Sequence, residues 1–454
     1  MSTLAHTIAE WAARTRFEDL SEKTVHEVKR RTLDSIGTAL GAWPSRPARV
    51  TRGVAQSVAA SPGANLIGSK HRSTPDLAAF SNGALVRYLD FNDTYLSLEP
   101  AHPSDNIPPC WAVGQVCGKS AREIITAIAI GYELQCRLCD AASLREHGWD
   151  HVYYGALSSA LSASKLYDLS VEQTVHALGL AGVCNFATRQ TRTGQISDWK
   201  ACAFSNAARN GVFAARLAKD GLTGPNEIFE GPKGLFNMVT GPFELALSKG
   251  GDDWMINKTY IKFWPAEYHS QSAIEAALHL RDAIGSHEAI DSILIESFEA
   301  AVSIIGSERE KWRPTSRETA DHSMGYCVAC ALIDGDVTRA SFSEERIKDS
   351  AVLGLLDKTK IVETDECNAG YPDGIPNKLI VTAAGGKTHE KLVKYPRGHA
   401  GNPMTDDEVI AKFKVLAADV VSDAAAQRIV DLSLSFDELS DVAELLAFET
   451  TERP

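Results

Sequence analysis

The sequence predicts a mostly α-helical protein with a second, smaller α+β domain, and two observations lead to this fold class. Up to about residue 285, apolar residues recur at helical intervals, as in "TVHEVKRRTLDSIGTAL". Near residue 290 the pattern changes, because "IDSILIESF" alternates and "KIVET" is rich in β-branched residues. Helical spacing then returns towards the C-terminus. We expect a bundle domain that begins the chain, an inserted α+β lid domain and C-terminal helices that rejoin the bundle, over residues 1–266, 267–404 and 405–454.

Capping residues mark where the helices begin. Ser21 precedes the first long helical pattern, and three capping boxes precede later ones: Ser120 with Glu123, Ser170 with Gln173, and Thr405 with Glu408. We expect the last of these helical stretches to continue through "FDELSDVAELLAF".

Small residues and glycines indicate how some of these elements pack. The helices predicted for "YYGALSSALSASKL" and "FSNAARNGVFAARLAKDG" are dominated by Ala, Ser and Gly, which let helices approach closely, and Gly221 is typical of a C-cap. In the α+β region, "KLIVTAAGGKTHEKLV" predicts a hairpin that turns at Gly385 and Gly386.

Charge and hydropathy exclude several classes of protein. The chain has 46 Lys and Arg against 59 Asp and Glu, a net charge of -13, which argues against nucleic acid or an anionic membrane as a partner. No apolar run approaches the roughly 20 residues that span a bilayer. The start, "MSTLAHTIAEWAARTR", lacks the apolar core of a secretory signal, so we expect a cytoplasmic protein.

The nine cysteines include two pairs with the CxxC spacing, Cys136 with Cys139 and Cys327 with Cys330. Both pairs lie in apolar stretches that predict buried helices, whereas zinc-binding pairs usually lie on polar turns. We interpret them as small buried hydrophobic residues and expect no metal site. An odd cysteine count in a chain without an export signal also argues against a disulfide framework.

The common catalytic signatures are absent: the sequence has no GxGxxG, P-loop, GxSxG or HExxH motif. The run Asp321-His322-Ser323 is no serine-protease triad, because three consecutive side chains diverge on a helix or strand.

Polar clusters remain, at the ends of apolar segments, and each contributes a cation, a histidine or both. If they converged in one cleft, they would bind a small polyanion and supply acid and base. Taken singly, each has an ordinary structural interpretation, since "AHPSDN" is rich in turn formers and a histidine near a helix end often caps it. The clusters are "DFNDTYLSLEPAHPSDN" (90–106), "GWDHVYYG" (148–155), "RQTRTGQISDWK" (189–200), "IKFWPAEYHSQ" (261–271), "RETADHSMGY" (317–326) and "YPRGHAGNP" (395–403).

Six segments resemble the 2-methylcitrate dehydratase (MmgE/PrpD) family in order and with plausible spacings, from about residue 20 to 415. The family also holds cis-aconitate decarboxylases and an iminodisuccinate epimerase, which act on small di- or tricarboxylates without a metal or organic cofactor. The resemblance implies the two-domain architecture given above and a homodimer. The segments are "RYLDFNDTYLSLEPAHPSDN", "RQTRTGQISDWKACAFSNAARNGVFAA", "LTGPNEIFEGPKG", "WPAEYHSQSAIEAA", "ADHSMGYCVACALIDG" and "YPRGHAGNPMT".

The resemblance also implies which positions form the active site and what they bind. "LSLEPAHPSDN", "GPNEIFEG" and "PAEYHSQ" look closest to the dehydratases, and decarboxylase relatives tend to carry a histidine where this chain has Glu267. The substrate would then be a small tricarboxylate, with no cofactor. The implied catalytic residues are Asp90, His102, Lys200, Lys262 and Tyr326, and the implied substrate-binding residues are Thr94, His151, Glu267 and His269.

The dehydration of 2-methylcitrate indicates roles for these groups. A proton leaves the carbon that bears the methyl group and a carboxylate, and a protonated hydroxyl leaves the adjacent carbon. Lys200 and Lys262 are candidates to stabilise the enediolate-like charge, and His102 for acid-base transfer, with Asp90 or Asp93 orienting its ring. Arg189 and Arg192 are candidates to clamp the remaining carboxylates, although helix-end salt bridges explain them equally well.

Three alternatives stay open at the level of the sequence. The first is a decarboxylase or epimerase on the same scaffold, and the second is a carboxylate-binding protein without activity. The third is a metal-dependent hydratase that uses the CxxC cysteines.

Overall fold

The computed structural model describes residues 3–194 and 196–451, and the chain divides into two compact units. As predicted, the fold is mostly helical with a small mixed sheet. No helix in the described part of the chain is long and apolar enough to cross a membrane. The first unit comprises the described residues of Met1–Thr191, Trp199–Thr259 and Thr405–Pro454, and the second comprises those of Arg192–Asp198 and Tyr260–Met404.

Nine helices and a two-stranded ribbon form the larger part of the first unit in the described residues. The predicted caps are confirmed: the Ser21 hydroxyl accepts a hydrogen bond from Thr24 N, and both capping boxes form, at Ser120 and at Ser170. The elements are α1 (Leu4–Arg14), α2 (Glu22–Ala42), α3 (Arg46–Gln56), β1 (Ala64–Asn65), β2 (Arg72–Ser73), α4 (Pro75–Tyr88), α5 (Ile107–Cys117), α6 (Ala121–Ala141), α7 (Val152–Leu166), α8 (Val171–Val183) and α9 (Trp199–Lys219).

Helices α7 and α9 pack closely because they present small residues to each other. A Cβ atom at Gly211 of α9 would lie 2.7 Å from the carbonyl oxygen of Ala156, and one at Gly155 of α7 would collide with the Phe204 ring. The contact fixes the start of α7, at His151, relative to the start of α9, where Lys200 lies.

The second unit surrounds one four-stranded sheet with short helices. The strand order is β4-β3-β5-β6, in which β3 pairs with β4 in parallel and with β5 in antiparallel fashion. The predicted hairpin is confirmed: β5 and β6 pair in antiparallel fashion, and Gly385 and Gly386 turn with φ of 84° and 80°. The elements are α10 (Gln271–Ile284), β3 (Ile290–Ser297), α11 (Glu299–Ala301), α12 (Arg317–Ala320), α13 (Met324–Asp334), α14 (Glu344–Ile347), α15 (Ser350–Asp357), β4 (Thr359–Glu363), α16 (Asp365–Gly370), β5 (Asn377–Ala383) and β6 (Lys387–Val393).

The C-terminal segment adds α17 (Asp406–Ala417), α18 (Asp423–Leu434) and α19 (Ala443–Leu446) to the first unit. The Thr405 capping box forms, and α17 packs against α2. The prediction that the helical stretch continues through "FDELSDVAELLAF" is wrong. A 3₁₀ turn forms first, and the Asp441 carboxylate then accepts a hydrogen bond from Ala443 N, which starts a separate short helix.

The cysteine pairs lie in helices, as predicted, in α6 and in α13, and all four side chains are buried. Burial raises the pKa of each thiol, that of Cys330 to about 12, so the four sulfur atoms are protonated at neutral pH.

Candidate active site

The loop between α4 and α5 carries most of the candidate residues of the first unit. Two backbone hydrogen bonds of 2.9 Å, which Tyr95 and Ala101 exchange, fold this loop back on itself. The fold places residues 90–94 beside His102, and a 3₁₀ turn at Pro103–Asn106 then leads into α5. The turn expected for "AHPSDN" is therefore present, and His102 lies immediately before it.

The ring of His102 is held in one orientation by its Nδ1 atom. Nδ1 lies 2.9 Å from the carbonyl oxygen of Asp93 and 3.1 Å from the hydroxyl oxygen of Thr94. A carbonyl only accepts, and the Thr94 hydroxyl donates to Ala101 O at 3.1 Å, so Nδ1 carries the hydrogen. In the neutral ring Nε2 then holds the lone pair, as a general base requires.

Asp90 is a buried carboxylate surrounded by cationic groups. It forms an ion pair with Arg87, and its Oδ2 lies 3.6 Å from the Lys200 ammonium. Its Oδ1 lies 3.8 Å from His102 Nε2. Asp90 also has a φ of 52°, a left-handed conformation that is costly for a residue other than glycine and is often found at functional sites. The structure thus brings Asp90, His102 and Lys200 together.

The predicted orientation of His102 by a carboxylate needs a correction. The carboxylate of Asp93 is engaged elsewhere, since Oδ1 accepts from Ser104 N and Oδ2 from the Tyr132 hydroxyl, both at 2.8 Å. Arg31 adds a charge at 3.3 Å. The backbone carbonyl of Asp93 holds the ring, and Asp90 lies on the opposite, Nε2 side.

His151 and Arg189 lie on two neighbouring segments of the same unit. The ring of His151, at the start of α7, is buried with its centroid 5.9 Å from that of His102, and its Nδ1 lies 3.2 Å from the Asp150 carboxylate. The backbone N–H of Arg189 donates to Gly148 O at 3.0 Å, so this segment lies beside the turn that precedes His151.

In the second unit, Glu267 and His269 form a hydrogen-bonded pair. Glu267 Oε1 lies 2.7 Å from His269 Nδ1, and Oε2 accepts from the backbone N–H of His269 at 2.8 Å. Burial alone would raise the pKa of Glu267, but His269, with its hydrogen bond, and the charges of His322 and Lys262 lower it to about 2. Glu267 is therefore ionised at neutral pH. Lys262 itself is fully buried.

Tyr326 is held within the second unit. It is fully buried on α13, and its hydroxyl donates to Ser341 O at 2.6 Å, while burial raises its pKa. Arg192 belongs to the short segment of this unit before α9. Catalysis by Tyr326 and substrate binding by Arg192 stay predictions.

The expectation that Asp321, His322 and Ser323 diverge is wrong for the first two. His322 Nδ1 lies 2.5 Å from Asp321 Oδ1, because these residues lie in a turn between α12 and α13 and not in a regular element. Ser323 does point away, since its hydroxyl donates to Lys311 O and accepts from Tyr326 N at the start of α13.

The sequence analysis missed two buried cationic groups beside the loop, Arg87 and Lys412. Arg87 lies between Asp90 and Asp105, with its Nε atom 3.9 Å from Asp105 Oδ2, and the Lys412 ammonium donates to Phe91 O at 2.8 Å. The contact of Arg87 could have been predicted, because the spacing of three residues between Arg87 and Asp90 is typical of a local ion pair. No local pattern predicts the contact of Lys412, because it joins residues more than 300 positions apart.

The comparisons with known proteins agree with the resemblance. A model described as the MmgE/PrpD N-terminal domain matches residues 6–248, and the MmgE/PrpD C-terminal domain matches residues 264–438. Together they span most of the chain, which belongs to the MmgE/PrpD family.

Several curated relatives carry names that describe an activity. A 2-methylcitrate dehydratase of Escherichia coli (strain K12) is 27% identical over 446 residues, 92% of this chain and 91% of the relative. One from Salmonella typhimurium is 28% identical over 429 residues, 88% of each chain. A cis-aconitate decarboxylase-like protein, oryM, of Aspergillus oryzae is 27% identical over 477 residues, 98% of this chain and 97% of the relative. The first two relatives support a dehydratase-type lyase.

Proposed function

We propose that the protein is a 2-methylcitrate dehydratase that removes water from 2-methylcitrate, with citrate as a second candidate substrate, to give the corresponding cis-aconitate. The observation that supports the proposal most is the group of Asp90, His102 and Lys200, in which an oriented, largely enclosed imidazole lies beside a buried carboxylate and a buried ammonium. The dehydratases among the relatives support the choice of substrate class.

The elimination breaks a C–H and a C–O bond and releases one molecule of water. One protein group takes the proton from the carbon beside the carboxylate, and a second gives a proton to the departing hydroxyl. His102 serves one of these transfers through Nε2, because Nδ1 is already committed to the Asp93 carbonyl. Mutagenesis of the charged residues around Asp90 identifies the second group.

Charge stabilisation is the other requirement of the reaction. Loss of the proton builds negative charge on the carboxylate oxygens of the substrate, and a buried ammonium stabilises such charge far better than water does. Lys200, which is 3% exposed, and Lys262, which is fully buried, are proposed for this role. Arg189 and Arg192 are proposed to bind the remaining carboxylates.

The proposed reaction needs no metal. The residues proposed for proton transfer and for charge stabilisation would stabilise the developing negative charge, which is the role that a metal ion has as a Lewis acid in other enzymes. We also propose that the protein is a cytoplasmic homodimer, and sedimentation velocity of the purified protein tests the dimer.

A decarboxylase is the second candidate, because the Aspergillus oryzae relative bears that name over nearly the whole chain. Against it, Glu267 stands where the family resemblance implies a histidine in the decarboxylases. The two candidates are separated by incubating the protein with the stereoisomers of 2-methylcitrate, with citrate and with cis-aconitate, and following products by NMR. Loss of water from 2-methylcitrate supports the dehydratase. Release of CO₂ from cis-aconitate without dehydration of 2-methylcitrate would contradict it.

A further inference from the structure

Glu99 is a fully buried acid that the mechanism above does not use. It lies in the loop that carries Asp90 and His102, and its backbone N–H donates to Cys139 O at 3.1 Å. One oxygen, Oε2, accepts three hydrogen bonds from a neighbouring turn: from the Ser143 hydroxyl at 3.1 Å, from Leu144 N at 2.7 Å and from Arg145 N at 2.9 Å. Oε1 has no hydrogen-bond partner among the described residues.

The turn that Glu99 holds leads directly to other candidate residues. Leu144 O accepts from Trp149 N at 3.1 Å, and Gly148 O accepts from Arg189 N at 3.0 Å. Trp149 also forms an isolated β-bridge with Thr188. A continuous set of hydrogen bonds therefore runs from the Glu99 carboxylate to the segment of Arg189 and to the residue before Asp150 and His151.

Glu99 and Arg189 also interact electrostatically. Burial raises the pKa of Glu99 to about 7, against the backbone N–H groups of Arg145 and Leu144 and the positive charge of Arg189, which lower it. Glu99 also acts on the Cys139 thiol on α6 and on the Tyr154 hydroxyl on α7, whose pKa values are raised by burial and by the charge of Glu99. When Glu99 loses its proton, its negative charge therefore partly offsets the positive charge of Arg189.

We propose that Glu99 is a positioning residue for substrate binding: its hydrogen bonds fix the turn beside His151 and Arg189, and its charge state sets how strongly Arg189 attracts a substrate carboxylate. The proposal rests on the proposed function, in which Arg189 binds a tricarboxylate. An ionised Glu99 opposes the Arg189 charge, so binding weakens as the pH rises through 7.

Two substitutions separate the roles of geometry and charge. Glu99→Gln removes the charge but keeps an oxygen that accepts from the Leu144 and Arg145 amides, whereas Glu99→Ala removes both. Glu133→Gln is the matched control, because Glu133 is also fully buried in the first unit and accepts from Ser248 N and Met255 N, each at 2.8 Å. Its partner is Arg137, outside the candidate site.

Steady-state kinetics with 2-methylcitrate between pH 6 and pH 8.5 test the charge role. In the wild type and in Glu133→Gln, we expect KM to rise by roughly threefold or more across this range, with less change in kcat. In Glu99→Gln, that rise should disappear. A KM profile in Glu99→Gln that runs parallel to the wild-type profile would overturn the charge role.

Hydrogen exchange of the backbone amides tests the geometric role without any turnover. Exchange over residues 143–151 and 187–189 should accelerate in Glu99→Ala and stay near the wild-type rate in Glu99→Gln. Unchanged exchange in Glu99→Ala would overturn this role. If Glu99→Ala does not fold, exchange in Glu99→Gln at pH 6 and pH 8.5 decides, since an intact turn must stay protected at both.

The two proposals fail in different ways. If the wild type dehydrates no tricarboxylate, the proposed function fails, and the affinity for citrate at pH 6 and pH 8.5, measured by calorimetry on wild type and Glu99→Gln, still tests the effect of Glu99 on anion binding. If the wild type is active but the Gln variant keeps the wild-type pH dependence, only the inference about Glu99 fails.

Discussion

Each unit contains a glutamate with little or no solvent exposure beside a histidine-bearing segment, and the two carboxyl groups have opposite pKa shifts. In the first unit, burial raises the pKa of Glu99 to about 7, and its hydrogen-bond donors are one hydroxyl and two backbone amides, all neutral. In the second unit, the charges of His269, His322 and Lys262 overcome the effect of burial and lower the pKa of Glu267 to about 2. The balance between burial and the neighbouring charges and hydrogen bonds therefore decides whether such an acid is charged.

The two units also differ in the chemical groups that they offer to the proposed reaction. The first unit combines an oriented imidazole, a carboxylate and an ammonium, and such groups are suited to proton transfer. The second unit holds an ionised acid fixed to a histidine, an arrangement suited to binding and orientation. The predictions below test this division, from the largest expected effect to the smallest.

The largest effect is expected in the first unit, at His102. His102→Asn should lower turnover by roughly 10² to 10⁴, the usual contribution of one positioned proton-transfer group. Stability should stay within about 1 kcal/mol, because Asn retains a donor for the Asp93 carbonyl. Kinetics and urea unfolding measure the two quantities. Near-normal turnover together with a large loss of stability would make His102 a structural residue.

Asp90→Asn extends the test to the neighbouring carboxylate. If Asp90 and His102 act in one step, the double variant should lose much less activity than the product of the two single losses. Strictly multiplicative losses in this double-mutant cycle would show that the two residues act independently.

The lysines of the two units should have comparable effects if both stabilise charge. Lys200→Met and Lys262→Met should each lower kcat/KM by roughly two orders of magnitude or more, as does the loss of a preorganised charge donor. Lys70→Met, on an exposed side chain, is the control. A change below threefold at both buried positions would exclude these lysines from the site.

The Glu267 pair should stabilise the fold in a pH-dependent way. The pKa of Glu267 is lowered from 4.5 to about 2, so its contribution is present above pH 4.5 and is lost as the pH falls towards 2. At neutral pH the contribution is of the order of 3 kcal/mol. Urea unfolding of wild type and Glu267→Gln at pH 6 and pH 3 should show a difference that shrinks at the lower pH. A constant difference would mean that hydrogen bonding to the neutral form matters more than charge.

Glu99 should show the opposite sign. Its pKa is raised from 4.5 to about 7, so the folded protein holds a proton that the unfolded chain releases, and stability falls as the pH rises from 4.5 to 7. Glu99→Gln should lack this fall, and its stability relative to the wild type should increase between pH 5 and pH 8 by up to about 3 kcal/mol. Unfolding curves at the two pH values decide. A relative stability that stays the same would remove the contrast between the two glutamates.

The smallest effect is expected from chelation. Exhaustive treatment with EDTA should leave kcat/KM unchanged, and metal analysis should find no stoichiometric zinc or iron. Activity that returns only on addition of a metal would contradict the metal-free reaction.

The sequence by itself determined the features that depend on residues a few positions apart. The caps at Ser120 and Ser170, the hairpin turn at Gly385 and the buried CxxC helices are local, so their patterns could be read directly. The family, too, was readable, because ordered segments along most of the chain carry it.

Only the tertiary structure decided how the chemical groups are held and charged. The Asp93 carbonyl fixes the His102 tautomer, Lys200 meets Asp90 from a helix 110 positions away, and Lys412 reaches the same loop from the C-terminal segment. Hydrogen bonds and Coulomb interactions act between neighbours in space, and a pKa depends on all of them at once. Sequence patterns could therefore name the candidate groups, but the packing of α4, α9 and α17 around one loop sets their chemistry.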